Sequence, residues 1–131
     1  MAGSQVQISA ALQRLQTENG YCSIAVCRID GEYAVRIASA GASCGQCEKV
    51  HLSTGNIGRV AHSGVLQAIE DVSKDDSYRS CFSQVRSEIV VPIVASGKTI
   101  GVIDAESDSH PIHKSELLDF AKQIEPLLER A

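Results

Sequence analysis

The sequence contains no tryptophan, two phenylalanines and three prolines among its 131 residues. Because 44% of the residues are nevertheless hydrophobic, the core is predicted to consist of Val, Ile, Leu and Ala rather than aromatic rings. A chain of this length buries roughly two-thirds of its unfolded surface, which is enough for one core. We therefore expect a single domain over residues 1–131 that folds without a metal ion or a disulfide.

The sequence also lacks clusters of basic residues, since 12 Lys and Arg stand against 16 Asp and Glu for a formal net charge of −4. Nucleic acid is therefore not an expected partner. No apolar run approaches the ~18 residues of a membrane span, and the first residues, MAGSQVQISAALQRL, lack the regions of a secretory signal. These features predict a cytoplasmic protein without a membrane segment.

The five cysteines form an odd set, which argues against a closed framework of secreted-type disulfides. Cys22 and Cys27 lie in the apolar run YCSIAVCRI, where the favoured interpretation is a small buried hydrophobe. Cys44, Cys47 and Cys81 have polar neighbours that are typical of turns. These three cysteines are the candidates for chemistry.

Cys44 and Cys47 have the spacing of a zinc knuckle, but a structural zinc site normally needs a second pair. The two cysteines of the apolar run do not supply it, because residues five apart in a strand point to opposite faces. His51 and His62 are each isolated in the sequence, and we expect no metal site. A thioredoxin-type pair is also disfavoured, since the segment precedes a predicted strand and lacks the helix N-terminus that lowers a thiol pKa.

Apolar periodicity and turn signals predict the order helix, hairpin, short strand, short helix, hairpin, helix. The helices are predicted over residues 4–18, within TGNIGRVAHSG and over KSELLDFAKQIEPLLER, and the hairpins turn at Asp30-Gly31 and Ser96-Gly97. VLQAIED is predicted as a strand that runs into a loop. Pro92 indicates a bulge or an edge position, and Pro126 predicts a kink or an early helix end. Hairpins between helices give an α+β fold, an antiparallel sheet with helices packed on one face.

Two segments, GNIGRVAHSGVLQAIEDVSKDD and RSEIVVPIVASGKTIGVIDAES, resemble the centre and the C-terminal half of a GAF domain. The resemblance covers roughly Gly55 to Ser107. It implies a GAF-like sheet with a loop-covered pocket that binds a small molecule, often as a sensory or signalling module. Association as a homodimer is compatible with it, because Val6, Ile8 and Leu12 give the first helix an apolar face. The same face would alternatively cover the sheet.

One stand-alone branch of the family, the free methionine-(R)-sulfoxide reductases, is enzymatic, and the chain is similar to it in its cysteine spacing. The resemblance implies that Cys81, seven residues before Glu88, is the catalytic cysteine and that Cys47, ten residues before Ile57, is the resolving one. The family usually has a third cysteine at the position of Ile57 and a tryptophan near the pocket. Cys44 is interpreted as a relay thiol in place of that third cysteine.

The resemblance also implies that Glu88, Asp104 and Glu106 hold the substrate. Asp104 and Glu106 lie two residues apart in a predicted strand and so project from one face, and Glu88 begins the neighbouring strand. Such a cluster suits a cationic amine, or keeps one carboxyl protonated by like-charge repulsion so that it donates to a sulfoxide oxygen. Acids at strand ends that merely face water are the alternative.

Two functions therefore remain open at this point. The first is thiol-dependent reduction of a small sulfoxide through a sulfenic acid and an intramolecular disulfide, with no cofactor and with thioredoxin as the external reductant. The second is a non-catalytic GAF module that binds a small molecule or senses redox state.

Overall fold

The computed structural model describes residues 2–41, 48–69, 86–108 and 114–130. In these ranges three helices flank a six-stranded antiparallel sheet. The elements in chain order are α1 (Ala2–Asn19), β1 (Ser23–Asp30), β2 (Tyr33–Gly41), β3 (Lys49–His51), α2 (Gly55–Ser63), β4 (Gln67–Ile69), β5 (Ser87–Ala95), β6 (Lys98–Ser107) and α3 (Lys114–Arg130). The predicted order of helices and hairpins is confirmed.

The sheet has the strand order β3-β2-β1-β6-β5-β4, so two hairpins meet along the central β1–β6 pair. Both predicted hairpins form, the first with its turn at Gly31 and Glu32, one residue later than predicted. Gly31 begins the first two-residue turn with φ 61°, and Ser96 and Gly97 occupy the second with φ 53° and 75°. The second turn has positive φ at both central positions, which is the pattern of a type I′ turn, whose twist matches that of the flanking strands. The β1–β6 pair brings the chain's two halves together.

The two faces of the sheet carry different helices. α1 and α3 pack on one face, where they form the larger core with residues such as Ile24, Ile89 and Ile103. α2 packs on the opposite face, where Val60 contacts a smaller apolar cluster that contains Val90. The α+β, GAF-like architecture is confirmed. The expectation that the helices pack on one face is wrong for α2, because its apolar residue Val60 packs on the valines of the opposite face.

The apolar face of α1 covers the sheet. Ile8 and Leu12 have no exposed surface and belong to the larger core, whereas Val6 is 66% exposed. Of the two interpretations of this face, Ile8 and Leu12 therefore fit the second, because they cover the sheet. None of the helices in the described ranges combines the length and apolar character that a membrane span needs.

The prolines show where the chain tolerates a missing N–H group. Pro92 lies on β5 beyond Val90, the last residue that pairs with β4, so the position has the character of an edge. The predicted early end of the last helix at Pro126 is wrong, because α3 continues to Arg130. Pro126 and Lys122, whose carbonyl loses its helical partner, are both exposed, and water can solvate that carbonyl.

Candidate functional site

α2 lies across the sheet because its first turn packs very closely on the preceding segment. The helix lies within the predicted segment: it begins after Thr54, which has extended backbone angles, and ends at Gly64 with φ 70°. The Thr54 hydroxyl does not cap the helix and instead donates to the carbonyl of His51 at 3.2 Å. A Cβ atom on Gly58 would lie 2.2 Å from the carbonyl oxygen of Leu52. Only glycine allows this contact, which fixes the height of α2 above the sheet.

Three predicted substrate residues converge on the sheet face that α2 covers. Glu88 on β5 pairs directly with Glu106 on β6, and Asp104 is two residues from Glu106 on the same face. Glu88 and Glu106 are only 5% and 8% exposed. The alternative that these acids merely face water is therefore wrong for both glutamates. Like charges directly opposite each other destabilise a sheet, so the arrangement needs a further reason.

Asp104 lies at the centre of this acid cluster, which we define as Glu88, Asp104 and Glu106. Its pKa is raised well above the usual range of a carboxyl group, first by burial and then by the charge of Glu88 and a hydrogen bond with it. The charges of Glu106 and the Cys27 thiol add to the effect. Its Oδ1 atom is shielded from solvent and has no hydrogen-bond partner among the described residues. Burial and the neighbouring acids therefore favour the protonated form of Asp104 over the ionised one.

Asn56 connects the acid cluster to α2, a role that no sequence pattern predicted. Its side chain is 4% exposed, and its Nδ2 donates to Glu88 Oε1 at 2.8 Å. Its Oδ1 accepts a hydrogen bond from Nη2 of Arg59, one turn further along the helix. The only local signal of its role was that a polar residue occupies the inner face of a short helix. Its partner lies 32 residues away in the sequence, so spacing alone did not identify the pair.

The cysteines divide into two groups. Cys27 is 2% exposed and packs with Ala34 in the smaller apolar cluster, as predicted for a buried hydrophobe. Burial raises the pKa of its thiol to about 12 despite the nearby Arg36. Cys22 is only half-buried, and its thiol donates to the carbonyl of Glu106 at 3.2 Å.

Burial and the charges of Glu106 and Asp108 raise the pKa of Cys22. A raised thiol pKa disfavours the thiolate, so neither Cys22 nor Cys27 has the character of a reactive nucleophile. The predicted catalytic, resolving and relay cysteines, Cys81, Cys47 and Cys44, lie outside the described residues.

A groove of about 740 Å³ lies beside α2 and is lined by residues that include Leu52, Arg59, His62 and Gln67. None of the three acids lines it, so it is separate from the acid cluster. Within the described parts of the chain, no group of three or more His, Cys, Asp or Glu side chains has the arrangement of a metal site.

Solved structures with the same fold include the type II free methionine-R-sulfoxide reductase from Thermoplasma acidophilum, with a TM-score of 0.90, 24% identity and coverage of 98% of this chain and 94% of that one. The free methionine-R-sulfoxide reductase from Neisseria meningitidis, solved in complex with its substrate, has a TM-score of 0.85 and 24% identity over 96% of this chain and 78% of that one. At this level of identity the similarity establishes the fold.

Sequence relatives include the free methionine-R-sulfoxide reductase of Saccharomyces cerevisiae, 38% identical over 61 residues, which are 46% of this chain and 34% of that protein. Protein YtsP of Bacillus subtilis is 31% identical over 86 residues, 63% of this chain and 53% of that protein. The chain thus spans between about a third and a half of the length of these relatives. The family model of the GAF domain matches residues 5–128, and the chain belongs to the GAF domain family.

Proposed function

We propose that the protein reduces a small sulfoxide, free methionine-(R)-sulfoxide, with its own thiols. The observation that carries the proposal is the acid cluster of Glu88, Asp104 and Glu106 on the sheet face beneath α2, in which both glutamates and the Oδ1 atom of Asp104 are buried. The similarity of the chain to free methionine-R-sulfoxide reductases of yeast and of Escherichia coli supports it.

The cluster has chemistry for both polar ends of such a substrate. A neutral carboxyl at Asp104 donates a hydrogen bond to the sulfoxide oxygen, which becomes more basic as the S–O bond breaks. An ionised glutamate beside it attracts the α-ammonium group of a free amino acid. The direct pairing of Glu88 with Glu106 across the two strands thereby acquires a function in substrate binding.

The cysteines supply the electrons in the proposed reaction. The Cys81 thiolate attacks the sulfoxide sulfur, the S–O bond breaks, and the oxygen passes to the cysteine as a sulfenic acid while methionine leaves as the thioether. The Cys47 thiol then attacks the sulfenic sulfur, which forms a disulfide and releases water. The substrate gains two electrons, and the two thiols lose them. Cys44 relays the disulfide, and the dithiol of thioredoxin reduces it in the cytoplasm.

The test is NADPH oxidation coupled through thioredoxin and its reductase, with free L-methionine-(R)-sulfoxide as substrate. We expect turnover by the wild type and none by Cys81→Ser, while Cys22→Ala serves as the matched control and keeps its activity. The S epimer and a peptide-bound sulfoxide should be poor substrates. Absence of turnover with the fully reduced wild-type protein would refute the reductase.

A second candidate is a GAF module that binds a small amine without turnover. Ile57 favours it, because an aliphatic side chain packs against the smaller apolar cluster where the reductases usually have a thiol. In that case calorimetry should detect methionine or its sulfoxide binding to the wild type, Glu88→Gln should weaken the binding, and no NADPH should be consumed.

A further inference from the structure

The side chains of α2 determine how charge is distributed in the acid cluster. Asn56 lies between Arg59 and Glu88 and hydrogen-bonds to both. An arginine side chain has only donors, so the oxygen of the Asn56 amide must face Arg59. The amide nitrogen must then face Glu88, and Glu88 Oε1 must accept. The orientation of the amide thus follows from the chemistry of its two partners.

Glu88 and Asp104 are close enough for a hydrogen bond between their carboxyl groups to raise the pKa of Asp104, and such a bond requires a proton on one of the two. The proton resides on one of them, and the other carries the negative charge. Glu88 receives a hydrogen bond from Asn56, whose amide is itself polarised by a guanidinium group, and such a bond is stronger to a carboxylate than to a neutral acid. A charge on Glu88 is therefore compensated from α2.

A charge on Asp104 has no comparable support from the described residues. Within the part of the chain that the structure describes, its Oδ1 is buried without a partner, and the groups that act on its charge are the two glutamates and the Cys27 thiol from β1, none of which is cationic. Burying an ion without a partner costs far more than burying a neutral acid. The positive charge on β2, Arg36, acts on Cys27.

We propose that Asn56, held by Arg59, is a positioning residue that makes Glu88 the ionised member of the cluster and leaves the proton on Asp104. With this distribution the site presents a carboxylate and an acid donor side by side, and the consequence for ligand binding rests on the proposed function. The site selects ligands that carry an ammonium group near a neutral hydrogen-bond acceptor. The charge distribution itself does not depend on turnover.

The test follows the carboxyl carbons of the full-length protein by ¹³C NMR after labelling of Asp and Glu side chains, with resonances assigned from Asp104→Asn and Glu88→Gln. In the wild type Glu88 should ionise at lower pH than Asp104. Asn56→Leu should bring the two midpoints closer by about one pH unit, because the loss of one charge-assisted hydrogen bond has that magnitude. Asn19→Leu, which removes an amide at the end of α1, is the matched control and should leave both midpoints unchanged.

Arg59 provides a second route, since it lies on the exposed side of α2 and its substitution should leave the fold intact. Arg59→Met should move the midpoints in the same direction by a smaller amount, because the amide can then rotate. Arg59→Lys keeps a donor and should leave both midpoints at their wild-type values. Arg14→Met, which replaces an exposed arginine on α1, should have no effect. Midpoints that do not move in either Asn56→Leu or Arg59→Met would overturn the proposal. Ionisation of Asp104 at lower pH than Glu88 in the wild type would also overturn it.

Activity separates this inference from the function on which it rests. In an active enzyme, Asn56→Leu should lower kcat/KM about tenfold and move its pH profile together with the NMR midpoints. Shifted midpoints in a protein without turnover would refute the reductase and keep the role of Asn56. Normal turnover by Asn56→Leu with unshifted midpoints would refute the role of Asn56 and support the reductase.

Discussion

Asp104→Asn should stabilise the protein above pH 4 by an amount that grows with pH. In the unfolded chain an aspartate loses its proton near pH ~3.9. In the fold, burial and the charge of Glu88 raise the pKa of Asp104, so the native state retains the proton to higher pH. Between these two values the native state binds one more proton than the unfolded state. Its stability therefore falls as pH rises, by about 1.4 kcal/mol per pH unit.

The asparagine side chain imitates the neutral acid and does not ionise. The difference in unfolding free energy between Asp104→Asn and the wild type should thus grow with this slope and become constant once the native carboxyl ionises. For a chain of this size each 1 kcal/mol corresponds to roughly 4 °C in Tm. Urea denaturation from about pH 4 to pH 8 measures the slope, and Asp119→Asn, an exposed acid on α3, corrects for the loss of one carboxyl. A difference that does not change with pH would refute the assignment of a raised pKa.

Three further predictions concern the fold. Gly58→Ala should cost about 1–3 kcal/mol and weaken ligand binding, since its Cβ would clash with backbone, whereas Gly3→Ala has open space and should be tolerated in the same denaturation assay. Cys27 should resist iodoacetamide in the native protein up to high pH and react only on unfolding, as peptide mass spectrometry would detect, because its pKa is about 12 and it is buried. Pro126→Ala should raise Tm, because α3 gains a backbone donor at an exposed position, and an unchanged or lower Tm would contradict this.

The sequence predicted the elements well where local chemistry determines them. Ser96 and Gly97 adopt the positive φ values that their turn requires, and Gly64 ends α2 in the left-handed conformation. Pro126 misled the prediction of α3, because the penalty of a helical proline depends on whether the freed carbonyl reaches water, which the sequence does not specify. Placing α2 on the face opposite the terminal helices required the close contact of Gly58 with Leu52, which no local pattern encodes.

The candidate site was predictable in position but not in charge. Alternation along β6 placed Asp104 and Glu106 on one face, and the pairing of the two hairpin strands brought Glu88 opposite. Which of these acids ionises depends on burial and on a donor from another element, and Asn56 meets Glu88 only through tertiary packing. Long-range polar contacts of this kind leave no periodic signal in the sequence.

A purely structural sheet would gain stability from apolar residues at the positions of the acid cluster. The neighbouring positions on the same face, Val90 and Val102, are fully buried valines, so the face accepts aliphatic side chains there. Buried acids are retained at such positions when their cost is offset by ligand binding, as is usual for functional sites. We therefore expect Asp104→Asn to have opposite effects on stability and on activity. If Asp104→Asn increases stability and abolishes turnover, the buried carboxyl serves the ligand and not the fold.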